Sequence, residues 1–166
     1  NQAVNALKAG LVDFAVVTTP VNLTNDMKSE NLCSFNDILI AGPKYKQLCN
    51  KALHLEELQE YPFISLVEGT GTHDHYTKFF YDNDLHFNLD MEASTTDQVL
   101  AMVQSNLGLG FYPEQLASEY IMRGEIFPVS LHESVPERDI ILIRESRHAE
   151  NIAAKKLINF LKHTTN

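Results

Sequence analysis

The chain has no tryptophan, only two cysteines, and 13 basic residues against 22 acidic ones in 166 positions. Cys33 and Cys49 are too few and too far apart for a disulfide framework or a zinc-binding spacing, so reduced thiols are expected. A formal net charge of -9 disfavours phosphate backbones as a direct partner, and this segment is not expected to touch DNA itself. No apolar run is long enough to span a bilayer, and no charged-then-apolar leader precedes the first helical pattern. Membrane association is therefore not expected. Serine and cysteine are absent from any recognised nucleophile motif, and no carboxylate pair is placed for acid-base work, so no catalytic residue and no cofactor is expected. His73 and His75 flank Asp74, but residues two apart on a helix point in different directions and no third ligand follows, so no metal is expected either.

What the chain does have is a repeated helix-to-strand grammar. Between Thr95 and Pro113, Thr96 or Asp97 can cap a helix whose Val99, Met102 and Val103 share a face. Asn106 can end that helix in the left-handed conformation. Leu109 to Tyr112 then reads as a short buried strand, with Gly108 and Gly110 permitting close backbone approach and Pro113 stopping the pairing. Near the start, Val4, Leu7 and Ala9 follow a helical pattern, Gly10 stops it, and Leu11 to Val17 reads as a strand. Two such units some ninety residues apart point to an α/β protein of two lobes.

These two segments, A-L-K-A-G-L-V-D-F-A-V-V and M-V-Q-S-N-L-G-L-G-F-Y-P, resemble two signature segments of the effector-binding domain of LysR-type transcriptional regulators. The resemblance extends over nearly the whole chain, through Asp37 to Gly42, Tyr61 to Leu66 and the closing strand and helix. One departure is Asn106, where the family has glycine; asparagine also tolerates positive φ, so the turn is kept.

The resemblance implies a two-lobed, periplasmic-binding-protein-like (type 2) fold with two crossover strands. Residues 1-38 and 139-166 would form the first lobe and residues 39-138 the second. The family's domain starts with a strand, a helix and a second strand ahead of the Val4 helix, so the first lobe is expected to be incomplete. A basic helix-turn-helix, which carries the DNA contact in the family, is not in this chain.

Taken in order, residues 22-31 are polar without periodicity, and I-L-I-A before Gly42-Pro43 reads as a buried strand. Tyr45 to Ala52 and Leu55 to Gln59 read as short helices, and Phe63 to Val67 as a strand. Glu68-Gly69-Thr70-Gly71-Thr72 then leads into a helix from about Asp74 to Tyr81, in which Phe79 and Phe80 take the core side. Glycines that free the backbone, threonine hydroxyls and a helix N-terminus make a corner able to hold a carboxylate or phosphate, or else a plain turn capped by Thr72. Asn88 to Ala93 alternates as a half-buried strand and delivers Ser94-Thr95-Thr96 to a second such corner, or a simple cap. Thr18 and Thr19 stand at the end of the first strand, where α/β folds place ligand contacts, or where they satisfy local backbone groups. A helix from Glu114 to Arg123, a strand from Ile126 to Leu131 and a buried strand from Arg138 to Arg144 follow. The last helix, Ala149 to Lys162, is expected to turn Ala153, Leu157, Phe160 and Leu161 inward.

In the family both corners border a cleft, so Thr18, Thr19, Gly69, Thr70, Thr72 and Thr95 are the candidate ligand-binding residues. The resemblance implies a cytoplasmic homodimer that senses a small anionic metabolite and acts on DNA through its helix-turn-helix. An exported solute-binding protein and a small enzyme on the same fold are the alternatives.

Overall fold

The computed structural model describes residues 2-146 and 151-164. In chain order its elements are α1 (Gln2–Lys8), β1 (Ala15–Thr18), β2 (Met27–Phe35), β3 (Asp37–Ala41), two 3₁₀ turns (Pro43–Asn50 and Leu55–Leu58), β4 (Phe63–Leu66), α2 (Gly71–Tyr81), β5 (Leu89–Ala93), α3 (Thr96–Gln104), β6 (Leu109–Pro113), α4 (Glu114–Met122), β7 (Phe127–Val129), β8 (Arg138–Glu145) and α5 (Ile152–Thr164). They fall into two compact units, residues 1-34 with 138-166 and residues 35-137.

The first unit is a three-stranded sheet in the order β1-β8-β2. β1 and β8 run antiparallel, with Ala15 opposite Ile143 and Thr18 opposite Ile140. The two-residue period of β8 divides its apolar side chains between two cores. Ile141 and Ile143 join Val4 and Leu7 of α1, while Leu142 joins Leu32 and Ile158 of α5. α1 therefore covers one face of the sheet and α5 the other.

Three expectations change here. The strand read from Leu11 starts at Ala15, because Leu11 and Val12 are exposed in the turn that closes α1. The stretch read as aperiodic from Asn22 to Asn31 contains most of β2, whose Met27 and Leu32 are buried and whose intervening polar residues face outward. On α5 the buried residues are Ala154 and Ile158 and Leu161 is half-buried beside the core that Ile158 joins, whereas Ala153 is exposed and Leu157 and Phe160 are 49% and 64% exposed. Ala149 lies outside the described residues.

The second unit is a five-stranded sheet in the order β5-β4-β6-β3-β7. β4 is parallel to β5 and to β6, whereas β3 is antiparallel to β6 and β7. Phe63, Leu109, Phe111 and Leu39 face one side, where Tyr76, Phe79 and Phe80 of α2 pack on them. Ile64, Ile40 and Tyr112 face the other, under Val99, Leu100 and Val103 of α3 and Ala117 of α4. Gly110 lets α3 sit close: a Cβ there would lie 2.8 Å from Val99 Cγ1. The short helices expected over Tyr45 to Ala52 and Leu55 to Gln59 are 3₁₀ turns over Pro43–Asn50 and Leu55–Leu58 that bury Tyr45, Leu48, Leu55 and Leu58.

Helix ends repeat one device. Gly10, Asn106 and Gly124 have φ of 66°, 62° and 70°, and the next residue's N–H reaches back across the last turn, as Leu107 N–H does to Met102 O at 3.1 Å. Asn106 also accepts the Lys44 N–H on its side-chain oxygen at 2.7 Å, a bond that glycine could not make.

Candidate functional site

Three strands of the second unit, β5, β4 and β6, end at the same edge of the sheet because they are parallel, and a helix starts after each of them. α2 leaves β4 for one face and α3 leaves β5 for the other, so the chain reverses its winding direction beside β4. Open α/β sheets hold ligands at such a point, outside the carboxyl ends of the strands.

The two turns at this point are joined. Leu66 pairs with Ala93, and the Val67 N–H donates to Ala93 O at 3.1 Å. The turn that carries Gly69, Thr70 and Thr72 and the turn that carries Thr95 therefore start from paired residues at this edge. Gly69 takes a φ of 81°, which lets the turn after β4 close without strain. Thr70 is the N-cap of α2: its Oγ1 accepts the His73 N–H at 3.2 Å and donates to Val67 O at 2.9 Å. The helix thus begins earlier than expected, and Thr72 lies half-buried in its first turn.

Thr95, one residue ahead of the expected Thr96 or Asp97, caps α3 by accepting the Gln98 N–H at 3.3 Å. Gln98 returns the favour through its side chain, which accepts the Ser94 N–H at 2.8 Å. Two helix N-termini with their partial positive charge therefore open on one edge.

Thr18 and Thr19 belong to the first unit, at the end of β1. The buried Arg138 donates to Thr18 Oγ1 at 3.0 Å and to Thr19 O at 2.9 Å, and Thr19 Oγ1 accepts the Asp139 N–H at 2.9 Å. Both threonines thereby pin the end of β1 to the start of β8.

Sequence reasoning missed three polar groups beneath the edge in the second unit. Asp37 is buried at the start of β3 and accepts the Tyr76 hydroxyl at 2.8 Å. Tyr76 in turn stacks on Phe111, with ring centroids 4.5 Å apart. Ser65, 3% exposed, has a hydroxyl with no hydrogen-bond partner among the described residues. A single serine inside F-I-S-L was the available signal. The Tyr112 phenol, at the end of β6, is pushed up by burial and then by the negative charges of Asp97 and Tyr120.

With this geometry established, similarity to known proteins identifies the lineage. The LysR substrate binding domain matches residues 1-166. The chain belongs to this family. Among curated relatives, the uncharacterized HTH-type transcriptional regulator YwbI of Bacillus subtilis (strain 168) is 27% identical over 107 residues, 64% of this chain and 35% of that protein. The match thus spans about a third of that regulator's length.

The regulatory domain of Synechocystis PCC6803 CcmR in complex with 2-PG superposes with a TM-score of 0.86 at 13% identity, covering 99% of this chain and 79% of that one. The effector-binding domain of QuiR in complex with shikimate gives 0.84 at 15% identity, covering 99% and 77%. At these identities the likeness shows the fold, which is the periplasmic-binding-protein-like type 2 fold of LysR substrate-binding domains. No helix among the described residues is long and apolar enough to cross a membrane.

Proposed function

We propose that this LysR substrate-binding domain is the effector-sensing part of a transcriptional regulator and holds a small molecule at the β4–α2 and β5–α3 edge. The observation that carries the reading is the pair of threonine-capped helix starts tied together by the Val67–Ala93 hydrogen bond. Their N–H groups and hydroxyls suit a carboxylate or another acceptor-rich group. Gly69, Thr70, Thr72 and Thr95 are the proposed contacts of this edge, and Thr18 and Thr19 are proposed ligand contacts of the first unit taken by itself.

The reading is of binding without turnover, in a cytoplasmic protein whose DNA contact is made by a helix-turn-helix outside this chain. Occupancy would act by favouring one of two arrangements of the regulator, which requires different affinity for the two. A homodimer fits the exposed Leu116 and Met122 on α4. Met122 also lines a groove of about 830 Å³ beside β7. CcmR and QuiR, in their 2-PG and shikimate complexes, make small carboxylates the first molecules to try.

The test is thermal unfolding against a panel of small carboxylates that includes shikimate. A true effector at a hundred times its Kd adds about 2.7 kcal/mol of stability. The Thr72→Val plus Thr95→Val variant should lose that gain while keeping a cooperative melt of its own. An unchanged affinity in that variant would remove the edge as the site.

A further inference from the structure

The proposed edge is poor in cationic side chains, and its one lysine shares a shallow pocket with Glu68 and Asp74. Between Lys51 and Arg123 the chain carries one lysine and no arginine. That residue, Lys78, is already held by both carboxylate oxygens of Asp82, at 2.9 and 2.6 Å. This stretch contains β4, β5, β6 and all of the turns that form the edge.

Carboxylates occupy the edge instead. Glu68 lies in the turn after β4, Asp74 in the first turn of α2 and Asp97 in the first turn of α3, all exposed. Glu92 pairs in register with Ser65, and by the two-residue period both side chains lie on the face that α2 covers. Tyr112, at the end of β6, has its phenol pushed up first by burial and then by the charge of Asp97.

A dianion such as a phosphate monoester would meet these charges with only backbone N–H groups and threonine hydroxyls in its favour. A net anion is therefore poorly matched, while a molecule carrying both signs is well matched. Its carboxylate would be taken by the starts of α2 and α3, and its cation by the surrounding side-chain carboxylates. Ser65 adds an independent mark of a ligand: its hydroxyl is almost fully buried without a partner, on the strand that feeds the turn and on the face beneath α2. Such a group is seldom left unsatisfied in a native fold.

We infer that the effector is an amino-carboxylate, such as an α-amino acid, whose ammonium is read by Glu68, Asp74, Glu92 and Asp97 and whose polar end is met by the Ser65 hydroxyl. This rests on the edge being the effector site. The ammonium also explains how a chain of net charge -9 could take up a carboxylate at an edge whose one lysine is paired with Asp82.

The experiment is calorimetric titration of the chain with the common L-amino acids, the 2-hydroxy acids of matching side chains, shikimate and inorganic phosphate. At least one amino acid should bind, with its 2-hydroxy counterpart at least tenfold weaker. Glu92→Gln combined with Asp97→Asn should bring that ratio close to one, and Glu119→Gln on α4 should leave it unchanged. Ser65→Ala should weaken the amino acid severalfold. Melting each variant without ligand separates lost folding from lost binding, with Asp74→Asn as the substitute where the double variant does not fold.

Equal or tighter binding of the 2-hydroxy acid, shikimate or phosphate overturns the inference, as does binding of no amino acid at all. In the first case the edge itself survives, provided that Thr72→Val plus Thr95→Val still weakens the molecule that binds. An amino acid whose affinity is untouched by that threonine pair would instead remove the site.

Discussion

Tyr76 and Asp37 are the residue pair on which the second unit's edge rests. Both are buried, and the phenol joins α2 to the first residue of β3 across 39 positions of sequence. Tyr76→Phe keeps the ring against Phe111 but removes the donor to a buried carboxylate. It should cost about 1-3 kcal/mol in urea unfolding, and a loss below a few tenths would show that the bond is not made in solution.

The partner of Asp37 was not legible in the sequence, because nothing local to D-I-L-I-A says which donor reaches it. Positive-φ positions were legible for the opposite reason. Gly10 and Asn106 are set by the turn they close, within four or five residues. The second task of Asn106, accepting the Lys44 N–H from 62 positions away, was not.

At the scale of elements, period was a good guide wherever one face is plainly polar. β5 alternates, α2 buries Phe79 and Phe80, and α3 buries Val99 and Val103, with those in-facing positions readable from spacing. α5 shows where that guide fails. Apolar residues occur nearly all round it, so spacing alone admits more than one inward face. The sheet decides by giving Leu142 and Leu32 to Ile158.

Ile158→Ala should therefore cost about 2-4 kcal/mol, while Leu157→Ala should stay within about 0.5 kcal/mol. Chemical denaturation of the two variants ranks them, and the reverse order would show that the helix is rotated. β2 escaped notice because its core contacts are widely spaced: Met27 and Leu32 are buried and the residues between are polar. Hydrogen bonding to a neighbouring strand, and not periodicity, makes it a strand.

For the whole molecule, the α/β class and the family were readable because two helix-to-strand segments kept their order and spacing. The candidate residues Gly69, Thr70, Thr72 and Thr95 were placed by the same logic, since a helix start after a parallel strand is a local feature. What joins those turns, the Leu66–Ala93 pairing and the Val67–Ala93 bond, is not local. Ser65 stood out only as the polar residue of an apolar strand, since its burial depends on α2 covering the sheet. Charge, the plainest property of the sequence, carries the sharpest statement about the ligand once the turns are known to share an edge.

Amide chemical-shift mapping of the ¹⁵N-labelled chain, titrated with the tightest-binding molecule from the carboxylate and amino-acid panels, tests the central claim most directly. The largest shifts should fall within residues 67-74 and 94-98 and saturate together at one affinity. Shifts confined to the α4–β7 groove, or spread without saturation, would contradict the account.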